Sequence, residues 1–168
     1  MTPEIRPPVE VVLGLGSNRA GADGRSPRLI IGAAVGDLAG ILDGVRAASV
    51  RKTRPVHVTD QPAFLNTAVA GFYRGSPRDL LCAVNAVEAE YGRDRSRERR
   101  WGERTLDIDI LLFGDMVIAE DGLVIPHPRL KERAFALEPL LELFPAARDP
   151  AGGGYLRDVL EKIRLTDV

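Results

Sequence analysis

From Leu106 to Phe113 the chain reads Leu-Asp-Ile-Asp-Ile-Leu-Leu-Phe. The pattern places Leu106, Ile108, Ile110 and Leu112 on one face and Thr105, Asp107 and Asp109 on the other. That is the period of an extended strand. Side chains two residues apart on a strand share a face, about 6.5–7 Å from one another. Two carboxylates are therefore held side by side on a rigid element, where they repel unless positive charge sits between them. Hard divalent cations, Mg²⁺ above all, take such oxygen ligands. A metal that also binds phosphates would use both aspartates and the arginines just upstream.

Around this segment strands and helices are interspersed. Strands are expected at Val9–Leu15, Ser49–Lys52, Phe64–Tyr73 and Met116–Ala119, the last joined to the aspartate strand by a Gly114-Asp115 turn as an antiparallel hairpin. Helical spacing runs over Arg28–Ala48, where Gly32, Gly36, Gly40 and Gly44 fall on one face and imply close packing there. A second helix starts at Ser76 as cap with Pro77 at its first position and runs to Tyr91. Others span Glu132–Leu143 and Tyr155–Ile163, and Gly92–Glu103 is a charged, mobile loop. The class is α+β, an antiparallel or mixed sheet with helices packed on it, in one domain over residues 1–168.

Charge narrows the partners. The formal net charge is −1, so nothing global marks a nucleic-acid or membrane binder. Locally, Arg93, Arg95, Arg97, Arg99, Arg100 and Arg104 crowd around Trp101, beside the aspartate strand. Guanidinium forks suit phosphate oxygens. The lone Cys82 lies in an apolar helical run and reads as a buried structural thiol. With no signal peptide in Met1–Pro8 and no membrane span, a cytoplasmic monomer is expected. Gly14-Leu-Gly-Ser-Asn18 follows a strand but lacks the third glycine of a dinucleotide fingerprint, and it reads as a turn. Phe64 and Asn66 offer a ring and an amide for a flat heterocycle, with core and strand-edge roles as the alternative. His127, fixed between two prolines, is the obvious group to titrate near pH 7.

Taken in order, Gly14-Leu-Gly-Ser-Asn18, Asp60-Gln-Pro-Ala-Phe-Leu-Asn66, Arg100-Trp-Gly-Glu-Arg-Thr-Leu-Asp-Ile-Asp-Ile-Leu-Leu-Phe-Gly114, Ile125-Pro-His-Pro-Arg129 and Glu132-Arg-Ala-Phe135 resemble the 6-hydroxymethyl-7,8-dihydropterin pyrophosphokinases of folate biosynthesis. The resemblance implies a ferredoxin-like α+β fold and transfer of the β,γ-diphosphate of ATP to the pterin hydroxymethyl group, giving AMP. It implies two Mg²⁺ ions on Asp107 and Asp109, with Arg100 and Arg104 completing the catalytic set. The pterin would meet Thr53, Val56, Phe64, Asn66 and Phe135. ATP would meet Asn85, Glu88, Arg93, Arg95, Arg100, Trp101, Arg104, Ile110, His127 and Arg133.

This chain departs from the family pattern in a Gly92–Trp101 stretch one residue longer, in Arg54 beside the pterin loop, in Gly122 and in the Gly-rich Ala20–Pro27 loop. Two other readings use the same residues. A two-metal phosphohydrolase explains the carboxylates and arginines but leaves Phe64 and Asn66 idle. A nucleic-acid binder built on the arginine loop is disfavoured by Asp94, Glu98 and Glu103 within it.

Overall fold

The computed structural model describes residues 7–55, 58–94, 96–97 and 102–166. The strands are β1 (Val9–Ser17), β2 (Asp43–Ala47), β3 (Arg51–Thr53), β4 (Phe64–Tyr73), β5 (Asp107–Phe113), β6 (Ile118–Glu120) and β7 (Leu123–Ile125). The helices are α1 (Pro27–Leu38), α2 (Pro77–Glu90), α3 (Ala134–Leu143) and α4 (Leu156–Thr166), with a 3₁₀ turn at Leu130–Glu132.

The main sheet has the order β2-β4-β1-β5, every neighbouring pair antiparallel, and β3 continues the β2 edge along β4. Two β-α-β units are thus interleaved, each with a strand of the other between its own two. This is the ferredoxin-like arrangement. Both faces of the sheet are covered. Val11, Leu13, Leu15, Ile108 and Ile110 pack on α1 and α2, while Val12, Ala68, Leu111 and Leu112 pack on α3 and α4. That explains why the β1 sequence is apolar almost without interruption.

The chain ends of these helices are set by local chemistry. Ser26 caps α1 and Ser76 caps α2, each followed by a proline, and Asp79 closes a capping box back onto the Ser76 N–H at 3.0 Å. The Phe64–Tyr73 strand is found with the expected ends.

Five expectations are corrected. The helix expected over Arg28–Ala48 stops at Leu38 with Ala39 as its C-cap, because the chain tightens into turns there (Gly40 N–H to the Asp37 carbonyl and Ile41 N–H to the Leu38 carbonyl, both 3.0 Å), and β2 follows with Gly44 at a positive φ of 63°. Gly32 and Gly36 lie on an exposed face with no neighbouring atom where a Cβ would stand; the packed face is Ile30, Ile31, Ala34 and Leu38. After the Gly114-Asp115 turn the chain leaves the main sheet, and β6 pairs with β7 instead of β5. The β5 alternation breaks at a register shift opposite Val12/Leu13, so that Leu112 joins Leu111 on the α3/α4 side. Cys82 is exposed on α2, not buried.

Candidate active site

Asp107 and Asp109 precede the shift in β5, lie on the same face as Leu111 and line one cavity with it. Opposite them β1 presents Gly14 (paired with Asp109) and Gly16 (paired with Asp107). A strand with no side chain at these two places leaves bare backbone as the floor of a cavity of about 280 Å³. A Cβ on Gly16 would stand 3.0 Å from Asn66 Oδ1, and one on Gly14 would stand 3.3 Å from Leu111. The walls are Phe64 and Asn66 of β4, Thr53 of β3, Arg54-Pro55, Gln61, Phe135 of α3, and Arg104, Arg129 and Arg133.

Asn66 is no strand-edge residue: β4 is interior to the sheet, Asn66 is 7% exposed, and its Nδ2 donates to Thr53 Oγ1 at 2.6 Å. Its carbonyl oxygen stays on the cavity side, facing Gly16. Phe64 and Phe135 line the same space, and the Arg133 guanidinium lies 5.6 Å over the Phe135 ring.

Both aspartates are held by cations. Arg93 donates to Asp107 Oδ1 and to Glu88 Oε1, and Arg104 donates to Asp107 Oδ2 at 2.6 Å. Glu88, buried on α2, also accepts the Ile108 N–H at 2.7 Å, which locks α2 to the stretch between the aspartates. Arg133 donates to Asp109 at 3.1 Å, and His127 Nε2 lies 3.6 Å from the same carboxylate. Burial works against the Asp107 charge, but Arg93 and Arg104 outweigh it and hold this carboxyl below its usual range. For Asp109 burial comes first and the Asp107 charge adds to it, while Arg133 offsets only part, so its pKa rises to about 6. His127 falls to about 4, through burial and then the Arg133 charge, so it is neutral near pH 7 and is not the titrating group expected there.

Of the residues singled out in the sequence, Thr53, Phe64, Asn66, Arg104, Asp107, Asp109, Arg133 and Phe135 share this cavity. Asn85, Glu88 and Arg93 line a second, smaller pocket that shares none of these residues. Ile110 does not open to the cavity; its side chain sits in the core under α1 and α2. Val56, Arg95, Arg99, Arg100 and Trp101 lie outside the described residues. Among the described residues no cluster of three His, Cys, Asp or Glu side chains forms a metal cage. The donor set is instead two hard carboxylates open to a ligand cavity. This suits Mg²⁺, which binds through one or two carboxylates and takes its other ligands from water and substrate phosphates.

The Gly14-Leu-Gly-Ser-Asn18 run, expected as a turn, is strand as far as Ser17 because Gly14 to Gly16 pair with both β4 and β5, and Asn18 follows directly on its end. It is 4% exposed and joins the end of β1 to Gln61, Pro62 and Arg104. Its only sequence signal was the Gly-Leu-Gly-Ser-Asn run itself.

A family model described as 7,8-dihydro-6-hydroxymethylpterin-pyrophosphokinase (HPPK) matches residues 12–145. A 2-amino-4-hydroxy-6-hydroxymethyldihydropteridine pyrophosphokinase of Methylorubrum extorquens is 42% identical over 154 residues, covering 90% of this chain and 91% of the relative. A mitochondrial folate synthesis bifunctional protein of Arabidopsis thaliana is 47% identical over 104 residues, 62% of this chain but only 18% of the plant protein. The HPPK-DHPS A437G structure of Plasmodium falciparum superposes with a TM-score of 0.74 at 16% identity, covering 96% of this chain and 46% of that one. The chain therefore spans less than a fifth of the plant protein and less than half of the Plasmodium chain, and the latter likeness speaks for the fold alone.

Proposed function

The chain belongs to the 7,8-dihydro-6-hydroxymethylpterin-pyrophosphokinase family, and from that premise we propose that it transfers the β,γ-diphosphate of ATP to the hydroxymethyl oxygen of 6-hydroxymethyl-7,8-dihydropterin, leaving AMP, in folate biosynthesis. The observation that carries this reading is one cavity lined together by two aromatic rings, a buried amide, several arginines and the Asp107/Asp109 pair.

Phe64 and Phe135 take the two faces of the pterin ring, and Asn66, held by Thr53, reads its edge. A buried amide discriminates against rings that lack matching donors and acceptors, since its own groups are then left unpaired. Arg93, Arg104 and Arg133 turn their guanidiniums to the phosphate oxygens, and His127, neutral, donates or accepts beside them. Asn85 and Glu88 lie toward the nucleoside side. Val56, Arg95, Arg100 and Trp101 are assigned by resemblance alone. Two Mg²⁺ ions on Asp107 and Asp109 would supply neutralisation of the triphosphate and a lowered pKa for the attacking hydroxyl. The protein's own share is positioning: it brings the hydroxyl and the β-phosphorus together on a rigid strand and excludes water from the pair. We place the reaction in the cytoplasm, with residues 1–168 acting as one monomeric catalytic unit; among the described residues no helix is long and apolar enough to cross a membrane.

Incubation with ATP, Mg²⁺ and the reduced hydroxymethylpterin tests this directly. AMP should form only when pterin is present. ADP or free phosphate as the main product would point to the phosphohydrolase and overturn the transfer.

A further inference from the structure

The carboxamide of Asn18 is fully engaged, and none of its partners is local. Its Nδ2 donates to Gln61 Oε1 at 3.2 Å and to the Pro62 carbonyl at 3.0 Å, while its Oδ1 accepts the Arg104 N–H at 2.8 Å. These partners lie 43, 44 and 86 residues away along the chain. The backbone adds to the link, since the Asn18 and Arg19 N–H groups both donate to the Arg104 carbonyl, at 3.0 and 3.1 Å. An asparagine serving only its own turn would bond within two or three residues of itself.

The two arms lead to two different segments that line the cavity, one through Gln61 and one through Arg104. Gln61 lines the cavity, as Thr53, Arg54 and Pro55 do, and its Nε2 donates onward to the Val58 carbonyl at 2.7 Å. Arg104 lines it too, with its guanidinium on Asp107 at 2.6 Å. One buried amide thus sets the distance between the pterin-side loop and the segment that carries the phosphate-facing arginine and the first aspartate. From this geometry we infer that Asn18 is a positioning residue that couples the two subsites, so that a ligand in one is felt in the other. The inference rests on the assignment of pterin and phosphate subsites made above.

Asn18→Asp separates the arms. It keeps the acceptor for Arg104 N–H but replaces two donated bonds by repulsion between the carboxylate and the Gln61 and Pro62 oxygens. The probe is the fluorescence of 6-hydroxymethylpterin, titrated with and without Mg²⁺ and α,β-methylene-ATP. In the native chain the nucleotide should tighten pterin binding about ten-fold, an ordinary coupling between sites. In Asn18→Asp that ratio should fall below about two, with pterin affinity in the absence of nucleotide changed less than about three-fold. A part that served folding alone would lower the folded fraction and leave the ratio intact, so an unchanged ratio overturns the inference. If the aspartate variant does not fold, Gln61→Met removes the same link from the cavity wall and must lower the same ratio. Pterin-dependent AMP formation by the native chain keeps the two readings apart. If no AMP forms, the functional assignment fails. If AMP forms and the ratio survives in the variants, only the role of Asn18 fails.

Discussion

At Asp109 function and stability pull in opposite directions. Burial and the charge of Asp107 lift its carboxyl from 3.8 to about 6, so the folded chain holds an anion there at neutral pH that it would rather keep protonated. A folded-state pKa raised above the unfolded value contributes stability below about pH 4 and loses it as the pH climbs through 6. Asp109→Asn keeps the shape and removes the titration. The variant should unfold at a higher temperature than the native chain at pH 7.5, with the gap closing as the pH is lowered from 6 to 4 in thermal scans. Its turnover should drop by on the order of 10³-fold. A gap that widens toward acid would contradict the assigned shift. Gly16 argues the same floor from the opposite strand. A Cβ there stands 3.0 Å from Asn66 Oδ1, so Gly16→Ala should weaken pterin binding about ten-fold or more and leave nucleotide affinity unchanged in separate titrations. The aspartate pair was legible in the sequence because a two-residue period is a purely local signal. Asn18 was not, because the bonds that define it reach 43 residues and further. His127 departs from its sequence expectation for a related reason, since the burial and the Arg133 charge that depress its pKa are both set by tertiary packing.

At the scale of elements, the errors have a common cause. Apolar periodicity tells a helix from a strand only where one face is covered, and β2 is a polar edge strand with four of its five residues exposed. Its Gly44 therefore looked like one more member of a four-residue glycine repeat. The repeat is real within α1 but carries no packing: nothing lies within 4 Å of a Cβ built on Gly32 or Gly36. Gly32→Ala and Gly36→Ala should each stabilise the chain by about 0.5–1 kcal/mol, by restricting the unfolded chain and favouring helix. Denaturant midpoints at unchanged slope would measure it, and a loss of stability in either variant would show that this face has a packing partner. The break in β5 was equally hidden, since Leu111-Leu112 are both apolar and either can continue the pattern. The register shift opposite Val12/Leu13 decided it: before the shift Asp107 and Asp109 alternate with Ile108 and Ile110 of the core, and at the shift Leu111 and Leu112 both turn to the α3/α4 side.

Across the whole molecule, cations and anions from segments far apart in sequence meet around the aspartate pair and neutralise one another. Asp107 is clasped by Arg93 from the end of α2 and by Arg104, while Asp109 is clasped by Arg133 from the start of α3. A divalent ion arriving alone must displace guanidiniums that are tethered in place, whereas a nucleotide offers those guanidiniums phosphate oxygens and frees the carboxylates. Metal and nucleotide should therefore enter as a pair. Electron paramagnetic resonance of Mn²⁺ provides the measure. Mn²⁺ alone should bind weakly, and addition of an ATP analogue should tighten it strongly. Arg104→Gln should bind Mn²⁺ more tightly than the native chain when nucleotide is absent, because the Asp107 carboxylate has lost a competitor. With nucleotide present the order should reverse, because the phosphates have lost a partner. Weaker Mn²⁺ binding by Arg104→Gln in the absence of nucleotide would mean that the arginine organises the carboxylates for metal and does not compete with it. In that case the two aspartates would be a preformed cation site, with no exchange between arginine and metal at all.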